Sequence, residues 1–212
     1  DFHEYFEQFS TSILNLTGPT AGQNCLNALT DGVKAVDTML HRQTGGRGSV
    51  AKLFEACESE ISAEDEFFFK WMVSEVIAST MVLNTPPVWS LNSTCTAALN
   101  STRNDLPATA LQRAFDFNMN YEYPLCLEVC NGTSPLQRVS EVVLRPLVRT
   151  LPTGQTCNVF SETAWIESMK NPSNPDRARW WQRCTQLGQF HGTSAQDSSS
   201  VFFDDIDVVK VS

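Results

Sequence analysis

Gly22-Gln23-Asn24-Cys25-Leu26-Asn27-Ala28-Leu29-Thr30-Asp31-Gly32-Val33-Lys34-Ala35-Val36-Asp37-Thr38-Met39-Leu40-His41-Arg42 is the stretch on which the class of this chain turns. Leu26, Leu29, Val33, Val36 and Leu40 step by three, four, three and four, which puts one apolar stripe on a helix over 22–42. Working outward, Phe2, Tyr5, Phe6, Phe9 and Ile13 have the same helical spacing over 1–15, and Thr17-Gly18-Pro19-Thr20 separates the two helices. On the other side, the glycine-rich 44–49 segment reads as a flexible connector. It has no Walker lysine and follows a helix instead of a strand, so it is not a phosphate cradle.

Further helices are predicted over 49–57 and from Ser62, whose hydroxyl caps a first turn carrying Glu64 and Asp65. Phe68, Trp71, Met72, Val76 and Leu83 line the second of these until Pro86-Pro87, and such a stripe reads as core. Segments 92–100, 106–121, 135–149 (shortened or kinked by Pro146) and 161–170 read as helices, and 124–132 as a loop carrying Cys126 and Cys130. The 177–190 segment reads equally as helix or as extended chain. The 201–211 tail, alternating apolar and acidic, reads as an incomplete strand or a loop. No α/β alternation and no repeat occur, so the expected class is all-α.

Net charge is -9, with the basic residues scattered. That balance disfavours nucleic acid and anionic membrane surfaces as partners. No apolar run approaches the roughly 20 residues of a membrane span. The opening Asp1-Phe2-His3-Glu4 has neither Met nor a leader and reads as an internal segment or a processed chain. Seven cysteines, at 25, 57, 95, 126, 130, 157 and 184, suit disulfides in an oxidising compartment better than a zinc site. Sequons at Asn15, Asn92, Asn100 and Asn131 point to the same route. The odd cysteine count leaves one partner outside the chain.

No self-contained catalytic set emerges. His3-Glu4-Tyr5-Phe6-Glu7 lacks the second histidine of a zincin, so no metal site is expected. His41 is expected to be solvated, and His191 is the one histidine kept as a candidate. No G-x-S-x-G elbow occurs, the cysteines are better used in disulfides than as nucleophiles, and Asp204-Asp205 reads as a solvated turn. No cofactor is implied.

Arg179-Trp180-Trp181-Gln182-Arg183-Cys184-Thr185-Gln186-Leu187-Gly188, however, resembles the W-x-Y-Q-x-C-T-E-x-G segment of the serine exopeptidases that include prolylcarboxypeptidase, dipeptidyl-peptidase II and thymus-specific serine protease. Asp1-Phe2-His3-Glu4-Tyr5 is similar to the D-F-x-E-Y opening of their helical cap. Cys25, Leu53-Phe54-Glu55-Ala56-Cys57, Cys95 and Cys157 fall in the family's order. The resemblance covers nearly the whole chain, to about Thr193. It departs from the pattern at Arg179 for Trp, Trp181 for Tyr and Gln186 for Glu, and Cys126 and Cys130 sit in an enlarged insertion.

The resemblance implies a disulfide-linked helical cap over 1–176 and, over 177–212, a segment returning to an α/β-hydrolase core. That core bears the Ser-Asp-His triad and is not in this chain. It implies Cys25–Cys95 and Cys57–Cys157 disulfides, leaving Cys126 to pair with Cys130 and Cys184 with a cysteine beyond Ser212. It places Trp180, Trp181, Gln182 and Gln186 toward a peptide substrate, with no catalytic residue in the chain itself. The implied partners are the hydrolase core and a peptide cleaved near proline, with room for a homodimer, and the implied location is lysosomal or extracellular. The alternative is a secreted helical binding module without enzymatic relatives.

Overall fold

Phe9 and Ile13, four residues apart and both fully buried, define the inner face of helix α1 (Tyr5–Thr17). The computed structural model describes residues 5–17, 19–82, 90–100, 106–129, 147–150, 156–172, 177, 181 and 202–203, with side chains for all except 5–7, 16–17, 19, 79–82, 120–129 and 147–150. Pro19 opens α2 (Pro19–Leu40) at the position where its missing N–H is no loss. The predicted stripe of α2 is its buried face: Leu26, Leu29, Val33, Val36 and Leu40 all lie inside, together with Cys25. Each such side chain contributes about 1.5–3 kcal/mol by leaving water.

The glycine-rich segment departs from expectation. Gly45 turns the chain in the left-handed region, with φ 70°, and α3 (Gly46–Leu53) starts at once, so 46–48 are helical and not a free connector. A Cβ on Gly46 would lie 1.9 Å from Met39 O, so glycine is required for this tight return. Arg47 then locks the turn by donating to Ile61 O and Ser62 O at 3.0 and 2.9 Å.

Helix α4 (Glu66–Val82) is the central element. Every residue from Phe68 to Ala78 is buried, so over these residues the expected stripe is instead a helix segment enclosed on all sides. Ser62 accepts from Asp65 N–H at 3.0 Å and so closes the turn that leads into the helix, which starts at Glu66, four residues later than predicted. Ser90 caps α5 (Leu91–Leu99). Helix α6 (Pro107–Val129) packs along α2 and α5. Its approach to α2 is set by Gly32, where a Cβ would meet Leu111 Cβ at 2.9 Å. The helix runs beyond the predicted end and spans Pro124, placing the backbone of 124–129 in a helix instead of the expected loop. An internal proline costs about 3 kcal/mol, a penalty and not a prohibition.

The predicted 135–149 helix is corrected at its end, 147–149, its earlier part lying outside the described residues: β1 (Leu147–Thr150) pairs antiparallel with β2 (Thr156–Val159), Leu147 opposite Val159 and Thr150 opposite Thr156. Pro146, which supplies no N–H, stands immediately before this strand. Asn158 ties the hairpin to the end of α3. Its N–H donates to Glu55 O, its C=O accepts from Cys57 N–H (both 2.8 Å), and its amide donates to Phe54 O at 2.9 Å. Helix α7 (Glu162–Lys170), capped by Ser161, follows. The molecule is therefore mostly helical, as expected of an all-α class, with one short antiparallel strand pair among the described residues.

Phe54, Phe69, Phe115 and Phe160 meet at the centre with ring centroids 4.9–6.5 Å apart. Phe68, Trp71 and Trp165 form a second aromatic group beside α7. Phe202 and Phe203, in the tail read as strand or loop, are buried in this same core, with Phe202 against Phe9 at 5.1 Å.

Candidate functional site

Of the expected substrate-facing residues, only Trp181 is described. Its backbone is helical and its side chain is 57 % exposed. An indole of that exposure presents a broad apolar face to whatever approaches it. Trp180, Gln182 and Gln186 lie outside the described residues, as do His3 and His191, the Asp204-Asp205 pair, Cys130, Cys184 and Asn131; of Cys126, only the helical backbone in α6 is described. Asn15, Asn92 and Asn100 are exposed, as glycan acceptors must be in the finished protein.

Among the described residues the disulfides are Cys25–Cys95 and Cys57–Cys157. The first ties α2 to α5. The second ties the end of α3 to β2, beside the Asn158 hydrogen bonds. Together with the absence, among the described residues, of any helix long and apolar enough to cross a membrane, they fit a protein of the secretory route.

A charged cluster that the sequence did not single out joins α2, α3 and α4. Lys70, with a side chain only 2 % exposed, places Nζ 2.8 Å from Asp37 Oδ1 and 3.0 Å from Glu66 Oε1. Arg47 pairs with the other Glu66 oxygen. His41 is exposed, as expected, but engaged: its Nδ1–H donates to Asp37 O at 2.8 Å and its Nε2 lies 3.6 Å from Glu66 Oε1. Burial pushes the Glu66 carboxyl up, but the hydrogen bonds and charges of Lys70 and Arg47 together outweigh it and hold the group below its ordinary value. Asp37, His41 and Glu66 bring ligand atoms within 4.8 Å of one another, a spacing a metal ion would need. Two cations already balance the two carboxylates, however, and a metal would have to displace the buried Lys70 ammonium. The arrangement suits an ion-paired joint between helices. Its signal in the sequence was the i,i+4 spacing of Glu66 with Lys70 and of Asp37 with His41.

Asp116 on α6 is a second perturbed group. Burial, and after it the charge of Glu55, push its carboxyl up to about 7, while Gln112 donates to Oδ2. Comparison with models of known protein families, with curated proteins and with solved structures finds no match for the chain.

Proposed function

We propose that this chain is the helical cap of a serine-type exopeptidase of the secretory route, lysosomal or extracellular, that cleaves short peptides near proline. One observation carries the proposal. The resemblance implied Cys25–Cys95 and Cys57–Cys157 from among the possible pairings of seven cysteines, and both bonds are present among the described residues. The exposure of Trp181 supports the same reading, since an indole face suits a proline ring.

In this reading the nucleophile, oxyanion hole and base belong to a hydrolase core of the same protein, and the packed helices exclude water and restrict the cleft to chain ends. Of the adjacent Trp180 and Trp181, one packs inward and the other reaches the cleft as an aromatic wall, a role that the exposure of Trp181 favours for it. Gln186 hydrogen-bonds a peptide terminus, and being uncharged it holds an amino terminus less firmly than a glutamate would.

Kinetics of the whole polypeptide test the proposal. Trp181→Ala lowers kcat/KM for a proline-containing peptide by about tenfold, in line with the loss of an aromatic contact worth roughly 1.4 kcal/mol in the transition state. Gln186→Glu shifts preference toward substrates with a free amino terminus. Wild-type kinetics in both folded variants would refute the assignment and favour the helical binding module.

A further inference from the structure

We propose that the sequon at Asn92 accepts its glycan only before α5 folds, so that the Cys25–Cys95 disulfide closes a modification site that the folded chain can carry but cannot create. The inference is independent of the peptidase reading.

The sequon is defined by two groups, the Asn amide and the hydroxyl two residues on, and a transferase that requires both must reach both. Side chains two apart on a helix point about 200° from each other. In α5 that rotation sends Asn92 to the exposed face and Thr94 into the core. Thr94 is 0 % exposed. Its Oγ1 lies 3.2 Å from Ser90 O and 3.4 Å from Asn118 Oδ1, and Asn118 is itself fully buried. Cys95, the next residue, is bonded to Cys25 on α2. Exposing Thr94 therefore means lifting α5 from α2 and α6, which the disulfide opposes.

The transfer forms a bond from Asn92 Nδ2 to C1 of a lipid-diphosphate-linked oligosaccharide. The C1–O bond to diphosphate breaks, the lipid diphosphate leaves, and the amide gives up one proton. The later closure of Cys25 with Cys95 passes two electrons and two protons to a disulfide-bearing oxidase. Once made, the glycan stands on the exposed face of α5 and leaves the Thr94 hydrogen bonds untouched, so product and fold are compatible.

The test uses the unglycosylated chain with Arg42→Asn, which places a second sequon over 42–44. Residues 42, 43 and 44 are all exposed, in the turn after α2. Purified oligosaccharyltransferase and lipid-linked oligosaccharide are added to the oxidised folded chain and to the same chain reduced and unfolded, and occupancy at each position is read by peptide mass spectrometry. The proposal predicts that occupancy at 92 relative to 42 falls at least tenfold from the unfolded to the folded chain. An unchanged ratio would overturn it, as would failure of the unfolded chain to be modified at 92.

Discussion

Asp116 and Glu66 are both partly buried carboxyls shifted in opposite directions, and the difference lies in their neighbours. Glu66 has two cations within reach; Asp116 has an amide donor and the like charge of Glu55. Their stability effects therefore have opposite sign. At Asp116 both folded and unfolded chains are protonated below the ordinary 3.8; between 3.8 and about 7 the unfolded chain alone is ionised, so stability falls as pH rises. Urea midpoints should decline across that window. Asp116→Asn, neutral at every pH, should flatten the decline and exceed wild type at pH 8 by about 1 kcal/mol. Glu66 behaves the other way: its contribution is complete above the ordinary 4.5 and is lost as pH falls through its lower folded-state value. Glu66→Gln should cost about 2 kcal/mol at pH 7 by leaving Arg47 and Lys70 short of a counter-charge, and the difference from wild type should shrink in stronger acid. Neither shift was legible beforehand, because each depends on residues brought from another element: Glu55 to Asp116, Arg47 to Glu66.

At the scale of elements, the end of α3 shows what periodicity conveys and what it omits. Ala56 N–H reaches Ala51 O at 2.8 Å and Glu55 N–H reaches Lys52 O, the paired bonds that close a helix when the residue between adopts a left-handed conformation. Glycine usually stands there; here it is Glu55, at φ 49°. Glu55→Gly should relieve backbone strain of about 1 kcal/mol and also remove the charge facing Asp116. The gain in urea midpoint should then be larger at pH 8 than at pH 5, and a loss at both would contradict this account of the turn. The stripe of α2 was readable, as were Phe9 and Ile13 on α1, because each rests on local spacing; the turn at Ser62 was readable for the same reason, although the helix starts only at Glu66, and the cap at Ser161 was not read. The extent of α6 beyond Pro124 and the hairpin at 147–159 were not, since a proline's cost can be met by contacts elsewhere and a strand of four residues needs its partner to exist. The all-round burial of 68–78 in α4 was hidden too. Lys70 and Glu75 break its apolar pattern, yet they lie inside.

For the whole molecule, two disulfides spanning 70 and 100 residues enclose most of the described core. In the chain-entropy treatment each contributes about 4 kcal/mol, although the loops overlap and the contributions are not simply additive. Reduction should lower the thermal midpoint sharply and in one cooperative step, because the Phe54 aromatic centre is shared by α3, α4, α6 and the residue after β2. Two separate transitions would show that the bonds staple independent units. The tail joins that core through Phe202 and Phe203, a placement its alternating pattern did not announce; Lys70 Nζ lies 5.6 Å from the Phe203 ring. Truncation before Phe202 should therefore destabilise the helices as well as remove the tail, by about 3 kcal/mol or more for the two lost rings. The residues of the proposed substrate site were named from resemblance alone, and of them the exposed Trp181 is the member whose placement is described.

The claim that the chain caps a serine exopeptidase is tested most directly by purifying, with antibodies to this chain, the native polypeptide that carries it. The purified polypeptide is treated with a fluorophosphonate and the modified residue is located by mass spectrometry. The account predicts a single labelled serine in a G-x-S-x-G peptide outside these 212 residues, with loss of cleavage of a proline-containing peptide in step with labelling. A polypeptide that takes up no label and cleaves no such peptide would contradict it.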